Sequence, residues 1–309
     1  MAINTGAIAN LLRPGLAAVF GSYPMYPSQW SEFFDVYESD KAVEIEVEMR
    51  MLGLAAIRAE GAQTAMDDAM GQRIITNYVH KYVALGFQIT RQAIMDNLYK
   101  TRFPMMAKSL RDSMAQTAEI LGASVINNGF NAGFPIGDGQ PLFSVNHPID
   151  GGVFPNTPAV ASDLNEASLE QGIIGIQQFR NQANLIVMTK PKKLIVGPQN
   201  QFVAERLLGS AFRTNTPNND ISAVYNLTAI PEGYRVNQFI SQQPIGAGGA
   251  LVNIWFVLTD APDGFKKYQR EALETDVYTE FNTDNLLAKA VERYSFGVSN
   301  PRAAWGSHG

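Results

Sequence analysis

The sequence predicts an α+β fold with a protruding arm, on the strength of three patterns. Residues 43–51 alternate strictly between apolar and polar, the period of two of a half-buried strand. Apolar residues recur every three or four positions over 106–128, which predicts a long helix with one apolar stripe. Beyond residue 158, helical and strand patterns alternate, as in an α/β lobe. A chain of 309 residues, 46% of them hydrophobic, is long enough to bury the cores of two lobes.

The first 42 residues are interpreted as an N-terminal arm. Asn4 or Thr5 is placed to cap a short helix. A proline-punctuated stretch follows, and it cannot be regular throughout because proline fixes φ and restricts its predecessor. Its aromatic residues are Tyr23, Tyr26, Trp30, Phe33 and Phe34. The pattern leaves open whether these rings pack on the subunit's own core or on a neighbouring subunit.

Residues 43–90 are predicted to form an extended loop of two strands joined by a polar tip. One face of the outgoing strand is apolar: Val43, Ile45, Val47, Met49 and Met51. The other face carries Glu44, Glu46, Glu48 and Arg50. We expect the carboxylate face to be fully solvated and to meet basic residues of a partner. Residues 74–90 resume an extended pattern, so the chain is expected to return along the outgoing strand.

The tip, residues 53–73, is rich in glycine and alanine and has no helical apolar stripe. We therefore expect it to be mobile until a partner covers it. Together with the strand carboxylates, its charged residues form our hypothesis for inter-subunit contacts: Glu44, Glu46, Glu48, Arg58, Glu60, Asp67, Asp68 and Arg73.

Two helices are predicted after the extended loop. Thr90 is placed to cap the first, which runs through Leu98, and Thr101 the second, with Pro104 in its first turn. The second helix spans about 25 residues, or roughly 38 Å at 1.5 Å per residue. Its predicted inward stripe comprises Met106, Leu110, Met114, Thr117, Leu121, Val125 and Asn128.

The remaining chain divides into a connection and two further segments. Residues 129–158 are rich in glycine and proline, and a stretch of that length is usually functional or covers another subunit. Helices are predicted at 164–181 and 199–212, and strands at 194–196, 234–240, 252–258, 278–281 and 286–298. The predicted domains are therefore an arm (1–42), an extended loop (43–90), a spine helix with the first part of a peripheral lobe (91–159), an axial lobe (160–250) and the returning strands of the peripheral lobe (251–309).

Composition argues against several classes of function. The net charge of −5 and the absence of a Lys/Arg cluster disfavour tight nucleic-acid binding. Because the chain has no cysteine, disulfides, thiolate nucleophiles and cysteine-ligated zinc are ruled out. The most apolar run, residues 250–258, is far shorter than the about 20 residues of a membrane span, and no basic leader precedes an apolar stretch at the N-terminus.

The chemistry-bearing residues of the 138–150 loop are interpreted as structural. Ser144, His147 and Asp150 resemble a triad in composition, but triad members normally come from separate elements. Asp138, His147 and Asp150 lack a recognised metal-ligand spacing, so no metal is expected. The glycines at 246–249 lack the lysine of a phosphate loop. We expect no cofactor and no enzymatic activity.

The order of these parts, together with four local phrases, resembles the major capsid proteins of tailed bacteriophages with the Hong Kong 97-type fold. The phrases start with Ile3-Asn-Thr-Gly6 and Leu11-Leu-Arg-Pro-Gly15, and continue with Phe87-Gln-Ile-Thr-Arg91 leading to Asp96-Asn-Leu-Tyr99. The others are Asp138-Gly-Gln-Pro-Leu-Phe-Ser-Val-Asn-His-Pro148, the most specific, and Tyr294-Ser-Phe-Gly-Val-Ser-Asn-Pro-Arg302. The likeness covers nearly the whole chain and is strongest to siphophage and Mu-like head subunits.

The resemblance implies a structural virion protein. Such a subunit forms hexamers and pentamers, joins them into an icosahedral head, encloses double-stranded DNA, and is assembled in the bacterial cytoplasm. It also implies a portal, a separate scaffolding protein and a decoration protein as partners. Some relatives crosslink their shells through a lysine of the extended loop, but no lysine lies between Lys41 and Lys81, so we expect non-covalent joints. The alternatives are an encapsulin-like nanocompartment shell, a phage tail component, or an enzyme using the 138–150 loop.

Overall fold

Helices and strands from distant parts of the chain combine into an α+β structure, as predicted. The computed structural model describes residues 27–67, 71–96, 99–212, 220–241 and 253–309, with backbone only over 99–103. The helices are α1 (Arg91–Met95), α2 (Tyr99–Asn127), α3 (Glu166–Gln177), α4 (Gln201–Gly209) and α5 (Ala223–Asn226). The strands are β1 (Asp35–Glu38), β2 (Val43–Met49), β3 (Gln72–Val79), β4 (Lys81–Ile89), β5 (His147–Ile149), β6 (Gly152–Phe154), β7 (Pro191–Val196), β8 (Tyr234–Val236), β9 (Trp255–Thr259), β10 (Phe265–Thr279), β11 (Leu286–Val298) and β12 (Ala304–Ser307).

The first sheet has the order β1-β10-β11-β4 and supports the long helix α2. β1 runs parallel to β10, and the other pairs are antiparallel. Leu110 and Met114 of α2 pack on Ala290 of β11. Near the start of α2, Ala107 joins Ile89 and Ala288 in a small apolar cluster. The helix therefore lies along one face of the sheet.

The second sheet has the order β12-β9-β7-β8 and supports a further apolar core. Trp255 and Trp305 from neighbouring strands lie with their ring centroids 5.3 Å apart. A Cβ on Gly172 of α3 would lie 2.8 Å from the Trp305 ring, so glycine lets that helix approach the sheet closely. Residues after 250 contribute to both sheets, because β9 and β12 pair here while β10 and β11 belong to the first sheet. The division of the chain into lobes stays a prediction.

The helices that follow the extended loop differ from the sequence prediction in detail. Thr90 caps α1 as predicted, with its Oγ1 accepting from the Ala93 amide at 3.4 Å. Thr101 does not cap α2, because that helix already includes Tyr99, and Pro104 lies inside it. The predicted inward stripe is right in part: Leu110 and Met114 are buried, whereas Met106 is exposed. Ala107, Ala118 and Ala123 of α2 are buried as well and were not in the predicted stripe.

The aromatic stretch before β1 packs on the subunit's own core. Phe33 and Phe34 are buried with Phe256 and Phe265, and Trp30 packs against the same cluster. Glu119 of α2 fixes this stretch, because its carboxylate accepts the backbone amides of Gln29 at 2.8 Å and Trp30 at 3.0 Å. Tyr23 and Tyr26, the predicted N-terminal helix and the glycines at 246–249 lie outside the described residues.

The largest element missed by the sequence is the 15-residue strand β10, of which only its end was predicted. Lysines, glutamates and an arginine interrupt its alternation, and the pairing with β11 shifts register between Gln269 and Glu274. The predicted helix at 164–181 is shorter, because its capping box at Asn165 starts it at Glu166 and it ends at Gln177. In the described part of the chain, no helix is long and apolar enough to cross a membrane.

Candidate functional site

The extended loop is a two-stranded ribbon, β2–β3, whose amphipathic faces are reversed relative to our expectation. The strands pair antiparallel from Val43 opposite Val79 to Met49 opposite Gln72. The glutamates of β2 and the buried residues Ile74, Thr76 and Tyr78 of β3 face the body of the subunit. The expectation of a fully solvated carboxylate face is therefore wrong, because the body offers these carboxylates matching donors.

Glu46 lies at the centre of the contact between the ribbon and the first sheet. Its Oε1 accepts from Lys266 Nζ at 2.6 Å and from the Tyr268 hydroxyl, and its Oε2 accepts from Ser299 Oγ at 2.5 Å. Burial alone would raise the pKa of Glu46, but hydrogen bonds from Lys266, Ser299 and Tyr268 outweigh burial and lower it. The ribbon is thus held by a charged carboxylate with three donors.

Tyr78 seats the other strand of the ribbon on β11. Its hydroxyl lies 2.5 Å from Ser299 Oγ, and its ring packs against Tyr268 with centroids 4.9 Å apart. A Cβ on Gly297 would lie 2.6 Å from the Tyr78 ring, so only glycine leaves room for it. Burial raises the pKa of Tyr78, which keeps its hydroxyl protonated.

The two outer glutamates of β2 are also bonded within the subunit. Glu48 Oε1 accepts from the buried Arg302 guanidinium at 2.9 Å. Glu44 accepts from Ser39 Oγ at 2.8 Å and from Lys41 Nζ at 2.9 Å. Burial lowers the pKa of Arg302, and Glu48 partly offsets that effect. All three glutamates therefore hold the ribbon in one orientation.

At the root of the tip, an arginine pair closes on Asp150 in the turn between β5 and β6. Asp150 accepts from both Arg50 and Arg73, which flank the tip in sequence. Arg50 also donates to Asp67 at 3.2 Å. The Arg50 guanidinium, with Arg73 beside it, holds the pKa of Asp150 below its ordinary value. Asp150 thus positions the extended loop and belongs to no triad.

The face of the ribbon that points away from the subunit is apolar. Ile45, with 60% of its surface accessible, lies near its centre. The exposed apolar residues of the two strands are Val43, Ile45, Val47, Met49, Ile75 and Val79, and we call this set the ribbon face. The chain beyond β2 adds Met51, Leu52, Leu54, Ile57 and Met66, all exposed. A contiguous apolar surface of this kind on a folded subunit marks a site of protein association.

The eight residues of the inter-subunit hypothesis separate into two groups. Glu44, Glu46, Glu48, Asp67 and Arg73 bond within the subunit, as described above. Arg58 and Glu60 are exposed at the tip, where Arg58 donates to Thr64 Oγ1 at 3.3 Å. Asp68 lies outside the described residues. Their contact with a neighbouring subunit stays a prediction.

His147 is the centre of a buried polar cluster in the 138–156 loop. Its Nδ1 lies 2.6 Å from Asp138 Oδ2, and its Nε2 lies 3.1 Å from Asn156 Oδ1. Asn156 in turn donates to the carbonyls of Leu142 at 2.7 Å and Pro301 at 2.9 Å. The cluster connects the loop to the segment before β12. The most specific phrase of the resemblance, Asp138 to Pro148, therefore holds this loop in place.

Ser144, His147 and Asp150 of this loop do not bond to one another as the members of a triad would. Ser144 Oγ contacts Gln140 Oε1 at 3.5 Å and accepts from the Asn146 amide at 3.1 Å, whereas His147 has the different partners given above. Over the described ranges, no group of three or more His, Asp or Glu side chains is placed to hold a metal ion. Asp150 is held by arginines. The triad that the sequence suggested is therefore not assembled in this loop.

Sequence reasoning missed the residues that receive the ribbon. Lys266, Ser299 and Arg302 lie more than 200 positions from the glutamates they bind. A usable signal was present, because the phrase from Tyr294 to Arg302 contains Gly297, Ser299 and Arg302 together. Residues of that phrase bond directly to the ribbon, Ser299 to Glu46 and Arg302 to Glu48.

Comparison with known proteins agrees with this architecture. A family model described as Phage capsid protein matches residues 74–306. No sequence among curated proteins matches the chain. The capsid structure of the cyanophage P-SCSP1u is similar with a TM-score of 0.58 at 12% identity, over 93% of this chain and 89% of that chain.

Two further solved structures share the fold. The capsid of the native GTA particle matches with a TM-score of 0.58 at 12% identity, over 93% of this chain and 92% of that chain. The virus-like particle from Pyrococcus furiosus matches with a TM-score of 0.53 at 10% identity, over 96% of this chain and 98% of that chain. At these identities the likeness establishes the fold.

The fold is the Hong Kong 97-like capsid fold, a mixed helix and strand architecture of shell subunits. The family model spans well over half of the chain, from β3 to β12. The chain belongs to this family of phage capsid proteins. It is a structural subunit of a phage capsid, a protein that associates with copies of itself and resides in the virion.

Proposed function

We propose that the chain assembles into hexamers and pentamers, which join into an icosahedral head around double-stranded DNA. Assembly takes place in the cytoplasm of a bacterial host, and the protein catalyses no reaction. A portal, a separate scaffolding protein and a decoration protein are the further partners of this proposal. The observation that supports it best is the ribbon, which is fixed to its own subunit through its carboxylates and presents its apolar face outward.

The ribbon face supports a contact with a neighbouring subunit for an energetic reason. Ile45, Val47 and Ile75 are large apolar side chains, and burying such a side chain fully stabilises by about 1.5–3 kcal/mol. An isolated two-stranded ribbon is at best marginally stable in water, yet this one is rigidly seated by Glu46 and Tyr78. We assign the receiving surface to a different part of the neighbouring subunit, so the contact is heterologous and can close into rings.

We assign the eight residues of the inter-subunit hypothesis two roles. Arg58 and Glu60 contact the neighbour at the rim of the interface. Asp68 is assigned the same role, on the sequence alone. The other five, Glu44, Glu46, Glu48, Asp67 and Arg73, position the ribbon so that its apolar face meets the neighbour. The arm (1–42), extended loop (43–90), spine (91–159), axial (160–250) and returning (251–309) segments are the domains of this proposal.

The proposed container holds DNA without recognising its sequence. A net charge of −5 keeps the subunit from adhering strongly to phosphate, because such adhesion depends on clustered lysine and arginine. Particles purified from infected cells should therefore release nuclease-protected double-stranded DNA when disrupted at any salt concentration. An enclosed enzyme in place of DNA would support the nanocompartment alternative.

Electron microscopy of the assembled protein tests the proposal. We expect closed shells from the parent chain, expressed with its scaffolding partner if needed. Deletion of residues 54–66 should leave a folded subunit that forms no shells, because the tip makes few contacts with its own body. Ala62→Gly, at the exposed tip, is the matched control and should assemble normally. Shells of parental yield from the deletion, or tubes from the parent, would contradict the proposal.

The joints between subunits are expected to be non-covalent. No lysine lies between Lys41 and Lys81, so the tip has no amine for an isopeptide bond. Purified shells boiled in detergent should run as one band near 33.8 kDa on a denaturing gel. A ladder of covalent oligomers would contradict this expectation.

A further inference from the structure

An aromatic side chain projects from the far end of the first sheet. Phe281 lies in the turn that joins β10 to β11, and 97% of its surface is accessible. The turn is ordered by backbone hydrogen bonds from the Glu280 amide to Asn285 and from the Asp284 amide to Glu280, both 2.9 Å long. Thr283 Oγ1 adds a bond to Glu280 at 2.6 Å. Phe281 is therefore presented on a fixed turn and contributes little to its own subunit.

A partly open cavity lies at the opposite end of the same sheet. It has a volume of about 470 Å³ and lies between β2 and the residues that flank the start of β10. Its lining is mixed. Val47, Met49, Met51, Ile74 and Pro262 form the apolar part, and the polar part comprises Glu46, Glu48, Thr76, Asp263, Lys266, Ser299 and Asn300, of which Glu46, Lys266 and Ser299 already bond to one another. A cavity of about 150 Å³ already holds a benzene ring, so this one has room for a phenylalanine side chain. Methionine side chains adapt to such guests and make favourable sulfur–aromatic contacts.

The length of β10 prevents a subunit from filling its own cavity. Lys266, at the start of this 15-residue strand, lines the cavity, whereas Phe281 follows its end at Thr279. At about 3.3 Å per residue, the two features are separated by roughly 45 Å. Phe281 can therefore occupy such a cavity only in a second molecule, with the two molecules arranged head to tail.

We propose that Phe281 of one subunit inserts into the cavity beside β2 of a second copy of this chain. The inference rests on the proposed self-assembly and deepens it, since it names a pair of surfaces that meet. Every chain carries one projection and one cavity, so the numbers match in any closed ring. The cavity is also continuous with the ribbon face, because Val47 and Met49 belong to both.

Disulfide trapping tests the pairing directly, because the chain has no cysteine of its own. Chains carrying Asn282→Cys alone, which keeps Phe281, and chains carrying Met51→Cys alone are mixed, assembled and oxidised mildly. A disulfide requires Cβ atoms within about 4.5 Å, so a covalent dimer on a non-reducing gel reports insertion. We expect this dimer, and we expect it to disappear on reduction.

The matched control replaces the cavity cysteine by one at an equally accessible site elsewhere. Val160 is 80% accessible and lines neither feature, so Asn282→Cys mixed with Val160→Cys should give at least tenfold less dimer. Equal dimer yields from the two mixtures, or no dimer from the Met51→Cys mixture in assembled shells, would overturn the inference.

Assembly of a truncated variant provides the second measurement. Phe281→Ala should raise the subunit concentration needed for shells at least tenfold, while its neighbour Asn282→Ala should leave it unchanged. The melting temperature of free Phe281→Ala should equal that of the parent, because the side chain is exposed. Shells of Phe281→Ala at the parental concentration would overturn the inference and leave the proposed function standing. Absence of shells from the parent would overturn both.

Discussion

The strands β2 and β11 both alternate between apolar and polar residues, yet they turn opposite faces to the body of the subunit. In β11, Leu286, Ala288 and Ala290 are buried under helix α2. In β2, Ile45 and Val47 face solvent and the glutamates face inward. The difference lies in what backs each strand, an apolar helix in one case and Lys266, Ser299 and Arg302 in the other. Alternation shows that two faces differ, and the partner decides which face is inside.

The same substitution on the two strands should have opposite consequences. Ala290→Asp buries an unpaired carboxylate between β11 and α2, and we expect it to lower the free energy of unfolding by about 4 kcal/mol or more. Ile45→Asp changes an exposed position, so the free subunit should lose about 0.5 kcal/mol at most. Urea unfolding of both variants, monitored by circular dichroism, measures the two effects.

Shell formation completes the comparison. Ile45→Asp should abolish shells in negative-stain images although the subunit is folded, because a desolvated charge would lie in the interface. Ile45→Val keeps the apolar surface and should assemble. If Ile45→Asp assembled like the parent, the ribbon face would not be an interface.

Removing the cation beneath Glu46 should release the ribbon. Lys266→Met leaves the Glu46 carboxylate with hydroxyl donors only, and breaking such a largely buried pair costs about 3 kcal/mol. The double variant Lys266→Met with Glu46→Gln should recover part of that loss, because position 46 then carries no unpaired charge and Asp263, which also loses its bond to Lys266, is exposed to solvent. The urea concentrations at the unfolding midpoints of the parent, the single variant and the double variant measure the loss and the recovery. A double variant less stable than Lys266→Met would contradict this account.

The ribbon's attachment should weaken in acid. Folding lowers the pKa values of Glu46 and Asp150 below their ordinary values of 4.5 and 3.8. Their contribution to stability is therefore complete above those ordinary values and is lost as the pH falls through the lower folded values. Melting temperatures recorded from pH 7 to pH 3 should drop in that range. Glu46→Gln with Asp150→Asn should start lower and show a flatter profile over the same range.

The smallest expected effect concerns the exposed tip. Arg58 makes one exposed hydrogen bond, to Thr64, so Arg58→Ala should change the unfolding free energy of the subunit by less than about 0.5 kcal/mol. A larger loss, measured by urea unfolding, would mean that the tip is part of the folded body.

The sequence predicted the elements whose side chains repeat with a clear period. The alternation of β2, the Thr90 cap of α1 and the existence of α2 all follow from local pattern. It did not reveal the orientation of β2, because that depends on donors more than 200 positions away. The predicted α2 stripe was right at Leu110 and Met114 and wrong at Met106, and it left out the buried alanines because alanine carries little apolar weight in a pattern.

For the same reason, the position of the candidate site could be predicted from the sequence, but the contacts of its residues could not. The sequence located the two ribbon strands within residues 43–90 and named their charged residues, but it did not separate β4, which pairs with β11 in the first sheet. Their roles could not be predicted, since Asp150 positions the ribbon only because Arg50 and Arg73 both donate to it. His147 likewise joins Asp138 and Asn156 across a loop whose shape is set by tertiary contacts.

The outward apolar face of the ribbon links two properties that are usually adjusted separately. A free subunit displays Ile45, Val47 and Ile75 to water, so its solubility limit and its critical concentration for polymerisation have the same physical origin. A substitution that makes the subunit easier to keep in solution will also delay nucleation of the shell. The pool of free subunits in an infected cell should accordingly stay small, with each new chain removed by growing particles soon after it folds.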